Sequence, residues 1–317
     1  MIMEWQQSIE RPTTYPSYIR LLHNGELLRR IEASRKYLSP CTVCPRNCRA
    51  NRLEGQKGIC LAGRDVRVSS YNLHFGEEPP ISGINGSGTI FFTGCSLKCR
   101  FCQNYPISQL NHGNSYTTAQ LAGMMLELQT QGAHNINLVT PTHFVPHIIE
   151  AVYIAAQKGL NIPLVYNTGG YDSIDMLKLL DGIIDIYMPD IKYASNEHAF
   201  KYSTVRNYVE INRQALLEMH RQVGELRFDN NGIAIRGLIV RHLILPHDIA
   251  QTCEAMSFIA KDLSSKTYIS LMSQYFPAHN AYKFKELSRR ITKAEYNRAI
   301  ECLKINGLEN GWIQEWD

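Results

Sequence analysis

From about residue 85 onward the sequence alternates short β-branched apolar runs with amphipathic segments of helical period, and this alternation restricts the chain to an architecture of parallel βα units. The runs are Thr89–Phe92, Asn135–Thr140, Leu164–Asn167, Ile183–Met188, Ile233–Leu245 and Thr267–Met272. Each is apolar enough to be a strand covered on both faces. Between them, Thr118–Gln131, Val145–Lys158, Ser173–Leu180, Asn207–Gln222 and Asp248–Asp262 carry helical periodicity, several with Ser, Thr or Asp where an N-cap belongs. A right-handed series of this length curls, so the predicted fold class is α/β, a partial (β/α)6 TIM-like barrel. Residues 1–80 lack the rhythm and are expected to form an N-terminal Cys-rich extension, ahead of a Gly-rich turn at Gly83–Gly88. The barrel core is assigned to 81–290 and a C-terminal helical segment to 291–317.

No apolar run is long enough to span a bilayer, and Met1 to Arg11 lacks the apolar stretch of a secretory signal. A cytoplasmic protein with reduced thiols is therefore expected. The net charge of +4 is too small and dispersed to argue for nucleic acid; the local run Arg46, Arg49, Arg52, Lys57, Arg64 and Arg67 reads as a solvated face. The cysteines are more informative. Seven of the nine lie between positions 41 and 102, leaving Cys253 and Cys302 alone in the rest of the chain. In a reducing compartment such clustering points to metal.

Cys95-Ser-Leu-Lys-Cys99-Arg-Phe-Cys102 puts three thiols directly after the first barrel strand, at the end of a βα barrel where catalytic residues collect. Incidental buried thiols or structural zinc are the competing readings, but structural zinc wants four protein ligands and this group offers three. Three ligands leave one iron of a four-iron cluster open, and an open metal position is where a substrate binds. With Phe101 before the last cysteine, this CxxxCxxC spacing resembles the signature of the radical S-adenosylmethionine (SAM) superfamily. The resemblance implies that the amino and carboxylate groups of SAM chelate the open iron of a [4Fe-4S] cluster. Reduction then yields methionine and a 5′-deoxyadenosyl radical, which abstracts hydrogen from a substrate. Phe101 would lie against the adenine; its alternative is an ordinary core residue.

The resemblance covers about residues 85–285 and looks closest to activating-enzyme-like proteins, the group around pyruvate formate-lyase activating enzyme. Their Gly-Gly-Glu-Pro-like turn is replaced here by Val139-Thr140-Pro-Thr142-His143, where the carbonyls of Thr140 and Thr142 are the candidate acceptors for the SAM amino group. Asn167-Thr-Gly-Gly-Tyr171 resembles the turn that lies beside SAM in that family, and it also fits a plain strand-to-helix turn. Asp190 and Lys192 match the family's Asp-x-Lys; they project to one side of an extended segment and equally suit a rim ion pair. Arg241 resembles the family's cofactor-facing strand arginine, suited to a carboxylate by its planar fork, although a surface role competes. His279 aligns with a family histidine that touches SAM, against the reading of a solvent-exposed loop residue.

Upstream, Cys41, Cys44, Cys48 and Cys60 match one four-thiol centre, either zinc or a second [4Fe-4S] cluster, and Gly55 and Gly58 would let loop amides approach the cluster sulfurs. The function expected is a radical SAM enzyme of the activating or modification kind. Its substrate is left open between a glycyl-radical-type protein, a peptide and a small molecule. No reductase domain is visible in the sequence, so an external flavodoxin or ferredoxin is implied. Two other classes compete: a zinc-knuckle nucleic-acid-binding protein and a ferredoxin-like electron carrier. Neither makes use of six βα units.

Overall fold

The computed structural model describes residues 16–316. Its strands are β1 (Val66–His74), β2 (Ser87–Phe92), β3 (Asn114–Tyr116), β4 (Ile136–Val139), β5 (Leu164–Thr168), β6 (Ile186–Pro189), β7 (Arg227–Phe228), β8 (Ala234–Leu243), β9 (Tyr268–Met272) and β10 (Gly311–Ile313). Its helices are α1 (Ser17–His23), α2 (Glu26–Arg35), α3 (Pro79–Ser82), α4 (Tyr105–Ser108), α5 (Thr118–Thr130), α6 (Val145–Gln157), α7 (Ile174–Leu180), α8 (Asn196–Ser203), α9 (Tyr208–Val223), α10 (Thr252–Phe258) and α11 (Lys293–Ile305). The sheet runs β10-β9-β8-β6-β5-β4-β2-β1-β3, with the series from β10 to β2 parallel and β1 and β3 antiparallel at one edge. This is the expected partial barrel, open between β10 and β3 and extended by strands the sequence reading did not assign.

Strand parity separates two environments, because successive side chains point to opposite faces. One set, including Ile90, Phe92, Ile136, Leu138, Leu164, Tyr166, Tyr187, Leu238, Val240, Ile269 and Leu271, packs outward against the helices in the main core. The other faces the barrel lumen: Val165, Ile186, Met188 and Ile239 form a separate cluster with Ile81 of α3. The β1–α3 connection thus enters the barrel from its N-terminal end, and Ile81 plugs it. Gly83 makes that entry possible: its φ is +48°, and a Cβ there would stand 2.6 Å from His134 Nε2.

Half of the basic run in the extension is the solvated face the sequence suggested, since Arg49, Lys57 and Arg64 are exposed, but Arg46, Arg52 and Arg67 are turned into the protein. Arg46 donates to the carbonyls of Ser96 (2.8 Å) and Thr204 (2.6 Å), and Arg67 to that of Asn111 (3.0 Å). Arg52 is 1% exposed, donates to the carbonyls of Gly63 (3.0 Å) and His143 (2.6 Å), and lies 5.5 Å from the Phe144 ring. A guanidinium has five donors in a rigid fork, which suits it to collecting carbonyls that loops and helix ends leave unpaired. The expectation of reduced thiols meets one exception, since Cys253 of α10 and Cys302 of α11 are joined in a disulfide that ties the C-terminal helix to the barrel. No described helix is long and apolar enough to cross a membrane.

Candidate active site

Cys95, Cys99 and Cys102 sit on the loop after β2, at the C-terminal end of the parallel strands. Three distant segments fix this loop. Arg46 takes the carbonyl of Ser96; Lys98 N and Arg100 N donate to the carbonyls of Ser203 (3.3 Å) and Tyr202 (2.8 Å) at the end of α8. Beyond β9, Asn280 N donates to the carbonyl of Arg100 at 2.8 Å, and Gln103 Nε2 to that of Gln274 at 2.9 Å. The loop's backbone is thus oriented by groups from across the chain.

The sulfurs have their own partners. Ser203 Oγ donates to Cys99 Sγ at 3.0 Å, and Cys102 Sγ shares a 3.1 Å hydrogen bond with Ser108 Oγ. Burial pushes the Cys95 thiol up to about 12, with the neighbouring Cys99 and Cys102 adding to the shift. Burial also raises Cys99, while Lys192 and the Ser203 hydroxyl pull it down. Lys192 is itself raised: burial works against its charge, but Asp190, in a 2.5 Å ion pair with it, and Cys99 outweigh that cost. Sequence reasoning missed Ser203 and Ser108, whose roles depend on folding that brings them to the thiols.

Of the other expected residues, Asp190, Lys192 and His279 lie near the same loop, while Asn167 lies in β5, paired with Val139 and Met188. Gly169 touches the loop directly, since a Cβ there would stand 2.8 Å from Leu97 and 3.4 Å from Lys192. His279 has φ +50° and stacks on Tyr105, just after Cys102, at 5.1 Å. Thr140 N donates to the Asn167 carbonyl at 2.8 Å, joining the ends of β4 and β5. The Thr142 hydroxyl is turned outward, donating to Asp172 at 2.7 Å beside Thr168 and Tyr166. Phe101 is 5% exposed and meets Tyr193 and Tyr275 edge-on at 6.4 and 5.9 Å. Arg241 has partners the sequence did not reveal: its Nε lies 3.0 Å from Glu78 and its Nη1 3.6 Å from Glu77.

The four upstream thiols share one loop region. Cys41, Cys44 and Cys60 are buried and Cys48 partly so. Burial raises Cys41, Cys44 and Cys60, each of which also feels neighbouring thiols of this group, and Arg52 acts against the rise at Cys41 and Cys60. A Cβ on Gly58 would collide with Cys48 Sγ, so only glycine lets the backbone come this close to the sulfur. This region abuts the first loop: a Cβ on Gly94, next to Cys95, would overlap the carbonyl oxygen of Cys60, and Lys98 lies within electrostatic reach of both Cys95 and Cys60. Among the described residues, no group of three or more His, Cys, Asp or Glu side chains is arranged to hold a metal ion as it stands. What fits a metal centre at both sites is the chemistry of the donor set, three thiols at one and four at the other.

The family model of the radical SAM superfamily matches residues 89–256. An uncharacterized protein of Methanocaldococcus jannaschii is 31% identical over 291 residues, covering 88% of this chain and 79% of that protein. A second uncharacterized protein of the same organism is 23% identical over 169 residues, covering 48% of this chain and 49% of its own length. Among solved structures, SuiB of Streptococcus suis bound to S-adenosylmethionine superposes with a TM-score of 0.46 at 12% identity, over 70% of this chain and 48% of SuiB. HydG, a maturase of the [FeFe]-hydrogenase, gives 0.48 at 14%, over 70% of this chain and 50% of HydG. The chain spans about half the length of those two structures.

Proposed function

The chain belongs to the radical SAM superfamily, and from that premise we propose that Cys95, Cys99 and Cys102 hold the SAM-cleaving [4Fe-4S] cluster of an enzyme that abstracts hydrogen from its substrate. The observation that carries this reading is the three-thiol loop at the C-terminal end of β2, oriented by hydrogen bonds from three distant segments. Three thiols match a cluster with one iron open. When bound, the cluster supplies one electron to the sulfonium of SAM, giving methionine and a 5′-deoxyadenosyl radical.

The chain's own groups have assignable tasks. Ser203 donates a hydrogen bond to the Cys99 sulfur and Ser108 shares one with the Cys102 sulfur, contacts that would tune a metal centre through its thiolates. Lys192, neutralised in part by Asp190, places positive charge beside Cys99. The carbonyls of Thr140 and Thr142, the Asn167 turn, Phe101 and His279 are the candidates to bind and orient SAM. Cys41, Cys44, Cys48 and Cys60 are proposed to hold one further centre, a second [4Fe-4S] cluster or zinc. An activating-enzyme-like action on a glycyl-radical-type protein or peptide, with electrons from an external flavodoxin or ferredoxin, is the finer reading.

The test is anaerobic reconstitution with iron and sulfide counts, followed by a SAM cleavage assay under dithionite. Expected are at least four irons per chain and 5′-deoxyadenosine. A fully loaded protein whose cluster spectrum does not respond to SAM, and which makes no 5′-deoxyadenosine, would refute the assignment.

A further inference from the structure

The lumen of the barrel contains a polar group that the SAM-cleaving loop does not account for. Glu77 and Glu78 close the β1–α3 connection inside the barrel, with side chains only 6% and 4% exposed. Arg241 is a single cation facing both, at 3.6 Å and 3.0 Å. Glu77 Oε1 also meets His74 Nδ1 at 3.4 Å. Glu78 Oε2 is buried and has no protein partner. Asn137 gives an independent sign of a ligand. It is fully buried, and neither its amide oxygen nor its amide nitrogen has a partner. Its neighbours Ile136 and Leu138 pack into the outer core, so strand parity aims Asn137 into the lumen, level with Val165 of the plug cluster.

Buried polar groups are normally paired, and each left unpaired costs about 1–3 kcal/mol. Five such atoms belong to this cluster: Arg241 Nε and His74 Nδ1 lie against Glu78 and Glu77 as ion pairs, which leaves two acceptors, Glu78 Oε2 and Asn137 Oδ1, in need of donors and one donor, Asn137 Nδ2, in need of an acceptor. Charge adds a second demand. Two carboxylates face one guanidinium, and His74 compensates the remaining charge only when protonated. The chamber is reached from the cysteine end. In β2, β4 and β8 the lumen-facing Phe91, Val139 and Arg241 are partly exposed, while the outward-facing Phe92, Leu138 and His242 are buried.

We propose that Glu78 and Asn137, with Glu77 and Arg241 setting the charge, form the substrate subsite of the barrel and take a substrate presenting a cationic amine. The amine nitrogen donates to Glu78 Oε2 and Asn137 Oδ1, and an oxygen of the substrate next to it accepts from Asn137 Nδ2. This rests on the proposed function only in treating the lumen as the chamber where hydrogen is abstracted.

The experiment uses reconstituted full-length protein saturated with SAM and n-butylammonium as the probe, with n-butanol and butyrate as controls, followed by ligand-detected NMR. Saturable binding of n-butylammonium, not shared by the two controls and weakened at least tenfold in Glu78→Gln, is the expected result. Asn137→Leu, which keeps side-chain volume, should weaken it also and serves if Glu78→Gln does not fold. Three outcomes overturn the proposal: no saturable binding, which leaves these atoms to water; binding unchanged in both variants; or displacement of SAM by n-butylammonium, which would assign the carboxylates to the SAM amino group. The same preparation is assayed for 5′-deoxyadenosine. Amine binding without SAM cleavage sinks the proposed function and spares the subsite, and cleavage without amine binding does the reverse.

Discussion

Replacing Gly94 by Ala tests whether the N-terminal extension and the SAM-cleaving loop form one unit. Gly94 has φ +76°, and an added Cβ would overlap the carbonyl oxygen of Cys60 with His143 Nε2 3.5 Å away on its other side. Two costs follow. A side chain in the left-handed region costs about 1–2 kcal/mol, offset by about 0.4–1 kcal/mol because alanine restricts the unfolded chain. The backbone collision adds about 1–3 kcal/mol, the usual range for overpacking, since the Cys60 carbonyl must retreat by about 1 Å in a close-packed interior. Gly132→Ala is the control, because Gly132 has φ +92° and nothing within 4 Å of the added atom. Urea unfolding of the metal-free proteins should show a loss of under about 1.5 kcal/mol for Gly132→Ala and of about 2–4 kcal/mol for Gly94→Ala. Cluster content after reconstitution should fall only in Gly94→Ala. Equal losses in the two variants would show that the extension does not press on the loop, and the adjacency of the two thiol groups would have to be abandoned.

Cys99→Ala should abolish 5′-deoxyadenosine formation while leaving secondary structure intact, as read by circular dichroism; retained product after dithionite reduction would sink the ligand assignment. A Cys95/Cys99/Cys102 triple-alanine protein should still carry about four irons with sulfide or about one zinc at the upstream thiols, and metal analysis that finds neither would return Cys41, Cys44, Cys48 and Cys60 to ordinary thiols. Asp185 is fully buried and accepts from Ser17 N and Leu164 N at 3.1 Å each, and burial lifts its pKa from 3.8 to about 6. Its folded value is the higher one, so the folded state holds the proton more tightly. The contribution of Asp185 to stability is therefore greatest below pH 4, is lost as pH rises to 6, and is flat above; the change is at most about 3 kcal/mol, and Glu286 and Glu295, held down to about 2, contribute with the opposite sign at acid pH. Asp185→Asn should flatten that slope in urea titrations of the metal-free protein, and identical slopes in the two proteins would refute the linkage.

The parallel strands were legible because burial on both faces writes an unbroken apolar run. Leu164–Asn167 was expected and Leu164–Thr168 is found; Asn135–Thr140 contains the observed Ile136–Val139. Strand β1 was not legible. Its sequence Val-Arg-Val-Ser-Ser-Tyr-Asn-Leu-His alternates and slips at a bulge between Val68 and Ser70, so its partly exposed positions resemble a loop. The cysteine spacing carried the site because it is local. Arg46 and Arg52 misled for the opposite reason: a charge reads as solvent-seeking until the carbonyls it binds are known, and those lie 50 to 158 residues away along the chain for Arg46. Glu77 and Glu78 were equally silent, since only the tucking of α3 into the barrel makes them lumen groups.

The two ends of the barrel have been closed by different physics, and that difference fixes the direction of traffic. At the N-terminal end a groove of about 570 Å³ lies beneath α3, lined by Pro79, Pro80, Gly83, Phe228 and Trp312. It stops short of the chamber, because Ile81 is fully buried among Val165, Ile186 and Ile239. Opening a route there would expose that apolar cluster at about 25 cal/mol per Å² and break the Asn135 hydrogen bond to the Ile81 carbonyl at 2.8 Å. At the C-terminal end the closure is polar. It consists of hydrogen bonds from Arg46, Ser203 and Asn280 to a loop of three thiols, with Lys192 and Asp190 about one-fifth exposed beside it. Polar contacts at a partly solvated rim exchange with water at little net cost, whereas an apolar plug has no such substitute. Of the two ends, the cysteine end is therefore the easier entrance for a molecule bound for Glu78, and the groups that orient that loop also border this path.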